Sequence, residues 1–404
     1  MSSSAYTFSA VAIVAAGVVA PRLSDAFARW IPVPSVVLEI LLGILIGPVA
    51  LGWAKEGPFI GQMADFGLAV LMFLAGYEIE FDRIRGGPLK LAISGWVVSL
   101  GLGLGAGLIL EGWDVLAVVV GLCLTTTALG TILPMLHDAG ALPTPFGARA
   151  MAIGALGECG PIVAIAVLLG GDQPAKTIAL LAAFAAITVT AAIMAVRGRR
   201  NPQVARMIRA TLTTSAQLAI RLAMFMIVLM LWIADSFGLD VLLGAFAAGI
   251  IERLAIEAAD SPRTQEVVKS KLEAIGYGFL VPFFFVVSGM RLDLAALAED
   301  PWDLALIPLF LLLFLVVRGG PTLLLHRRDL PTGERKALSL LASSALPLVV
   351  VITTLGVQEH GLKPSVAAAL VCAGMLSVLI FPLVALRLRD YTVSREAAAA
   401  GDAL

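Results

Sequence analysis

Charge is scarce in this chain: Asp, Glu, Lys and Arg make up 14% of its 404 residues, against about 25% in soluble domains. That is too little to cover a water-facing surface, so a soluble enzyme of this length is excluded. Histidine occurs three times, at His137, His326 and His360. Their positions at span ends or in loops share no ligand spacing, which argues against a metal site or a histidine-based hydrolase. The three cysteines, Cys123, Cys159 and Cys372, lie inside apolar stretches without metal-ligand spacing and read as small buried hydrophobes. A formal net charge of −1 argues against a nucleic-acid partner. The start, MSSSAYTFSA, lacks a basic n-region, and no small-residue cleavage site follows, so the first apolar segment reads as a span rather than a leader. After Arg389 only a short Ala-rich tail is left, too small to bury a core, so no soluble domain is expected at either end.

What the chain has instead is apolar residue, 59% of the total, in recurrent runs of about 18 or more, each long enough to span the bilayer core. The breaks between these runs predict helices near 6–21, 35–51, 60–78, 89–111, 113–136, 146–170, 174–196, 213–235, 239–256, 273–290, 302–325, 335–357 and 364–388. With thirteen helices, 22 of the 28 Lys and Arg residues fall on one side of the membrane and four on the other, while Arg221 and Arg318 stay inside helices. Basic residues concentrate in cytoplasmic loops, which puts the C-terminus in the cytoplasm and the N-terminus outside a cell membrane.

The chain also repeats itself. Leu38-Glu39-Ile40-Leu41-Leu42-Gly43 is matched by Leu239-Asp240-Val241-Leu242-Leu243-Gly244, and Thr126-Thr127-Ala128-Leu129-Gly130 by Ser343-Ser344-Ala345-Leu346-Pro347. Phe66-Gly67 with the exit Glu80 corresponds loosely to Tyr277-Gly278 with Asp293. The expected fold is therefore an all-α polytopic membrane protein with two inverted six-helix repeats, residues 1–172 and 201–390. Between them runs a linker helix, 173–200, and after them a tail, 391–404. Transporters of that architecture place their sites where paired helices are broken. Thr125–Gly130 and Ser343–Pro347 are the expected breaks, because Pro347 removes a backbone donor and the neighbouring hydroxyls can bond freed carbonyls or offer oxygens to a cation. The plainer reading, hydroxyls that only help helices pack, stays open.

Glu158, in Gly157-Glu158-Cys159-Gly160-Pro161, is a carboxylate midway along a predicted span. Such groups mark ion or proton paths. One carboxylate can hold a proton or a desolvated Na+ or K+, but not both, and that competition suffices for exchange. The alternative is a structural ion pair. Arg318 lies inside a span and must find an anionic or carbonyl partner, which favours an anchoring role. Glu39 and Asp65 sit nearer span ends and are secondary candidates for the ion path.

Four segments together resemble the monovalent cation:proton antiporter 2 family. They are Leu42-Gly43-Ile44-Leu45-Ile46-Gly47-Pro48, the run from Phe66 through Gly76-Tyr77-Glu78-Ile79-Glu80, Thr125–Gly130, and the run from Pro282 to Met290. The resemblance implies crossed discontinuous helices, exchange of a monovalent cation for protons by alternating access, a homodimer and no cofactor. It places Thr126 and Thr127 at the first break, Glu158 at the transported-ion carboxylate and Arg318 at the basic residue that stabilises the crossing, to which the repeat adds Ser343, Ser344 and Pro347 of the second break. Two departures stand out: Glu158 where the family usually has Asp, and Gly157 where a polar or acidic residue usually precedes it. A sodium-coupled symporter of a small organic anion on the same fold is the alternative, while a channel or an intramembrane enzyme finds no filter loop and no catalytic pair.

Overall fold

The computed structural model describes residues 3–401 apart from 28–32, 80–83, 139, 170–173, 201, 213, 259–261, 295–296 and 298–300, and Glu80 lies outside the described residues. Every regular element among those residues is helical. In chain order they are α1 Ser3–Phe27, α2 Ser35–Ile46, α3 Pro58–Tyr77, α4 Gly87–Glu111, α5 Val115–Leu124 and α6 Leu129–Asp138. Next come α7 Pro145–Leu168, α8 Pro174–Arg200, α9 Pro202–Thr211, α10 Leu218–Ser236 and α11 Val241–Glu257. Helix α12, Pro262–Ile275, continues through a π-helical turn, Gly276–Leu280, into α13, Val281–Arg291. Helix α14, Pro301–Phe314, likewise passes through a π-helical turn, Leu315–Gly319, into α15, Gly320–Leu325, and a short 3-10 turn, His326–Arg328. The chain closes with α16 Thr332–Ala342, α17 Pro347–Glu359 and α18 Pro364–Gly401.

Proline sets many of these starts: Pro58, Pro145, Pro174, Pro202, Pro262, Pro301, Pro347 and Pro364 are each the first residue of a helix. There a missing N–H costs nothing and the fixed φ is already helical. Asp114 and Asp240 cap α5 and α11, their carboxylates accepting the N–H of Val115 at 2.6 Å and of Leu242 at 2.8 Å. Asp240 thus lies at a helix start, whereas Glu39, its sequence counterpart, lies inside α2.

By length and composition ten helical stretches among the described residues can cross a membrane, and two shorter apolar helices, α2 and α5, accompany them. Each of the thirteen predicted segments contains a helix. The predicted 273–290 segment is part of a longer stretch, Arg263–Arg291, of 29 residues. Its charged first half stays helical because Pro262 starts it and Lys269 and Glu273 pair at 3.7 Å along one face.

The helices form two compact units, each drawing on both of the expected repeats. The first comprises Met1–Leu23, Leu38–Ile79 and Ile162–Arg291, the second Ser24–Val37, Glu80–Pro161 and Leu292–Leu404. In the first unit α3 and α11 touch backbone to backbone. A Cβ added to Gly76 would lie 2.2 Å from the Phe246 carbonyl oxygen, and one added to Gly249 would lie 2.0 Å from that of Phe73. Where lipid removes the hydrophobic drive between helices, such close approach supplies the packing that holds them. The second unit contains both interrupted helices.

Candidate functional site

The regular helix hydrogen bonding stops twice in the second unit. Between α5 and α6 the chain is non-helical at residues 125–128, and between α16 and α17 at 343–346. Each break caps its own upstream helix with hydroxyls. Thr125 and Thr126 donate to the carbonyls of Leu122 and Cys123 at 2.8 and 2.9 Å. Ser343 and Ser344 donate to those of Ser339 and Leu340 at 2.8 and 3.3 Å. The two breaks then bond to each other: the Ala128 N–H donates to the Ser344 carbonyl at 2.7 Å, and the Thr127 hydroxyl donates to the Ala342 carbonyl at 2.6 Å. Pro347 opens α17, so its missing N–H falls at the break itself. Ser377 of α18 braces the second break, accepting the Ala345 N–H at 2.9 Å while its own proton goes to the Gly374 carbonyl at 2.7 Å.

A third element locks onto this crossing. Helix α7 contains Pro161, which has no N–H for the Gly157 carbonyl one turn earlier. That carbonyl instead accepts the Thr127 N–H at 3.1 Å. Gly157 itself is in close quarters, since an added Cβ would lie 2.3 Å from Thr127 Cβ and 2.9 Å from Arg318 Nη2. The polar residue that the family resemblance leads one to expect at this position has no room; Thr127 and Arg318 occupy its space.

Two charged side chains answer the exposed helix ends. Glu158, 8% exposed, accepts the N–H of Leu129, the first residue of α6, through Oε1 at 2.9 Å. Its negative charge therefore sits on the positive end of a helix. Arg318, 2% exposed and in the π-helical turn after α14, donates from Nε and Nη2 to the Thr127 hydroxyl oxygen at 2.9 and 2.7 Å, and from Nη2 to the Ile153 carbonyl at 3.0 Å. Through Thr127 its positive charge faces the Ala342 carbonyl, at the negative end of α16. Arg318 thus takes a hydroxyl and a carbonyl as its partners here.

These contacts bring together Glu158, Thr126, Thr127, Arg318, Ser343, Ser344 and Pro347. They also revise one expectation. The Thr127 hydroxyl donates its proton to Ala342 and receives two N–H groups from Arg318, which fills all three of its hydrogen-bonding positions. In this conformation it has no lone pair to offer a cation. The two secondary candidates lie in the first unit. Asp65 is exposed and stands 3.8 Å from Arg291, whose main partner is Glu56, with Arg291 Nε donating to Glu56 Oε2 at 2.9 Å. A surface ion cluster accounts for it. Glu39 is 4% exposed within α2. Sequence reasoning missed Ser377, a hydroxyl in the apolar middle of a long helix, and Ser339, which donates to the Gly319 carbonyl at 2.8 Å beside Arg318.

Comparison with known proteins identifies the family. YjbQ of Bacillus subtilis is 28% identical over 394 residues, covering 93% of this chain and 62% of its own length. The Na+/H+–K+ antiporter GerN of Bacillus cereus is 26% identical over 275 residues, 67% of this chain and 68% of GerN. This chain thus spans about three-fifths of the first relative and two-thirds of the second. The solved structure of the sodium proton antiporter of Methanocaldococcus jannaschii shares the fold, with a TM-score of 0.69 at 15% identity, covering 95% of this chain and 98% of that one. The sequence pattern of the sodium/hydrogen exchanger transmembrane family matches residues 11–386. Crossed broken helices, a buried carboxylate at one helix end and a match over nearly the whole length agree: the chain belongs to the sodium/hydrogen exchanger transmembrane family.

Proposed function

We propose that the chain exchanges a monovalent cation, Na+ or K+, for protons by alternating access, with Glu158 taking a proton in one half of the cycle and the cation in the other. The observation that carries this reading is the place of Glu158: a buried carboxylate whose Oε1 meets the N-terminal N–H of α6 at the crossing. A carboxylate there has its charge partly balanced by the helix end, and the balance is completed by either a proton or a cation. Thr126 gives its hydroxyl proton to Cys123 and so keeps oxygen lone pairs available for an ion, while Thr127, Arg318, Ser343, Ser344 and Pro347 hold the crossing that positions Glu158. The name of GerN, a Na+/H+–K+ antiporter, supports both cations as substrates. The same reading includes two inverted repeats, a homodimer in a cell membrane, and a cytoplasmic C-terminus, which the Lys and Arg asymmetry supports.

The test is dye-reported proton flux in everted vesicles with Na+, K+ and Li+ added separately. Glu158→Gln fixes the site in a neutral state, so the folded variant loses cation-driven flux, whereas Glu158→Asp exchanges with altered cation affinity. Cation-dependent flux that persists in Glu158→Gln would move the carrier role to another acid, Glu39 first.

A further inference from the structure

At the end of the second unit where α7 and α16 begin, a cluster of charged side chains lies apart from the crossing. Arg149, one turn into α7, donates from Nη1 to the Pro145 carbonyl at 2.9 Å and faces Asp329 from Nη2 at 3.8 Å. Phe146, one turn before it on the same side of α7, carries the guanidinium of Arg389 from α18 over its ring, Cζ standing 5.3 Å from the centroid. Arg389 Nε in turn stands 3.9 Å from Oε1 of Glu334, and Arg335 follows Glu334 on α16. Both ion pairs are longer than the roughly 2.7–2.9 Å of a charge-assisted hydrogen bond.

Loose pairing leaves donors over. The Nε–H groups of Arg149, Arg335 and Arg389 are all buried, and none has an acceptor among the described residues. Arg389 as a whole is 9% exposed. His326, 1% exposed, is engaged through Nδ1 with the Thr322 carbonyl at 3.0 Å, and its Nε2 also has no hydrogen-bond partner among the described residues. Buried guanidinium donors without acceptors are costly, and native proteins keep them where something with acceptor oxygens completes them. The same place holds the positive N-terminal end of the 24-residue helix α7. Asp329 and Glu334 are the carboxylates that pair with these arginines among the described residues, and Arg327, Arg328 and Lys336 add positive charge in the adjoining sequence.

We infer that Arg149, Arg335 and Arg389 form a binding site for a tetrahedral oxyanion of the phosphate class. Such an anion presents several acceptor oxygens at once, which suits guanidinium groups on three helices, α7, α16 and α18, that each keep an N–H without an acceptor. It would replace the loose contacts to Asp329 and Glu334 with short ones, and the Phe146 ring under Arg389 keeps that guanidinium in place. The phosphate can come from a phospholipid headgroup or from a soluble phosphate. The site lies nine residues before Glu158 on α7, about 13 Å along the helix, yet its occupancy needs no ion exchange, so it stands or falls separately from the function proposed above.

Thermal unfolding of the purified full chain decides it. In neutral detergent, inorganic phosphate is compared with chloride at equal ionic strength. In phosphatidylcholine nanodiscs, samples with and without phosphatidic acid are compared. Stabilisation by inorganic phosphate identifies a soluble source, and stabilisation by phosphatidic acid alone identifies the headgroup. The double variant Arg149→Gln/Arg389→Gln weakens the effective ligand by about tenfold or more, the loss expected from at least one charge-assisted hydrogen bond. Because that variant can fail to fold, the wild-type protein supplies a second measurement. Equilibrium dialysis with labelled phosphate, or lipid counting by native mass spectrometry for the headgroup, gives one ligand per chain at saturation. The inference is overturned if neither ligand exceeds its control in the wild-type protein, if the folded double variant keeps full affinity, or if binding does not saturate at one per chain.

Discussion

Substituting Thr127 by valine preserves shape and removes one oxygen, so it separates a ligand from a brace. In the structure that oxygen satisfies the carbonyl of Ala342, 1% exposed, and two N–H groups of Arg318, 2% exposed. Losing a neutral hydrogen bond to a buried carbonyl costs about 1 kcal/mol, and stranding buried donors on a charged group costs about 1.5–3 kcal/mol more. Arg318 Nη2 keeps the Ile153 carbonyl, and the total for Thr127→Val comes to roughly 2.5–4 kcal/mol of stability. Thr127→Ser keeps the hydroxyl, loses a methyl group and should stay within about 1 kcal/mol of wild type. Reversible unfolding of the purified protein in mixed micelles measures both variants, and vesicle flux measures their apparent cation affinity. Serine should restore what valine loses, with cation affinity near wild type wherever folded protein is recovered. If Thr127→Val unfolds like wild type but binds the cation several-fold more weakly, its oxygen is an ion ligand and the bracing argument is wrong.

Other expectations follow from the same contacts. Gly157→Ala places a methyl group 2.3 Å from Thr127 Cβ, so it should cost about 1–3 kcal/mol or more through overpacking; a melting temperature equal to wild type would show that α7 can shift aside. Arg318→Ala should lower the yield of folded protein at least as much as exchange, because three donor contacts vanish from a buried crossing; normal yield and melting temperature with no exchange would instead give Arg318 a direct part in transport.

Much of this was readable from sequence because membranes make strong demands. A helix crossing lipid must be apolar along its length, so hydropathy located a helix in each predicted segment. Hydroxyls beside a helix breaker, twice over, pointed to Thr125–Gly130 and Ser343–Pro347, and a carboxylate in an apolar run pointed to Glu158. What escaped were the facts that depend on three-dimensional neighbours. Nothing local to Gly157 shows that Thr127 and Arg318 fill the space beside it. Nothing local to Thr127 shows that Arg318, 191 positions away, uses both of its lone pairs. Ser377 had no repeat partner or breaker beside it to distinguish it from a hydroxyl that merely packs.

Proline 161 gives the crossing a property that neither broken helix has alone. Its missing N–H releases the Gly157 carbonyl to Thr127, while Thr127 and Ala128 reach on to Ala342 and Ser344. Three buried hydrogen bonds thereby tie α7 and the two breaks together, one from α7 to the first break and two between the breaks, and parting all three costs about 3 kcal/mol, which leaves the parted state below roughly one molecule in a hundred. Any movement that changes which side Glu158 faces is therefore cheaper when it carries the knot intact than when it unties it. Residues 127, 157 and 161 consequently share one fate: a change tolerated at one of them depends on what stands at the other two, and their mutational effects should fail to add.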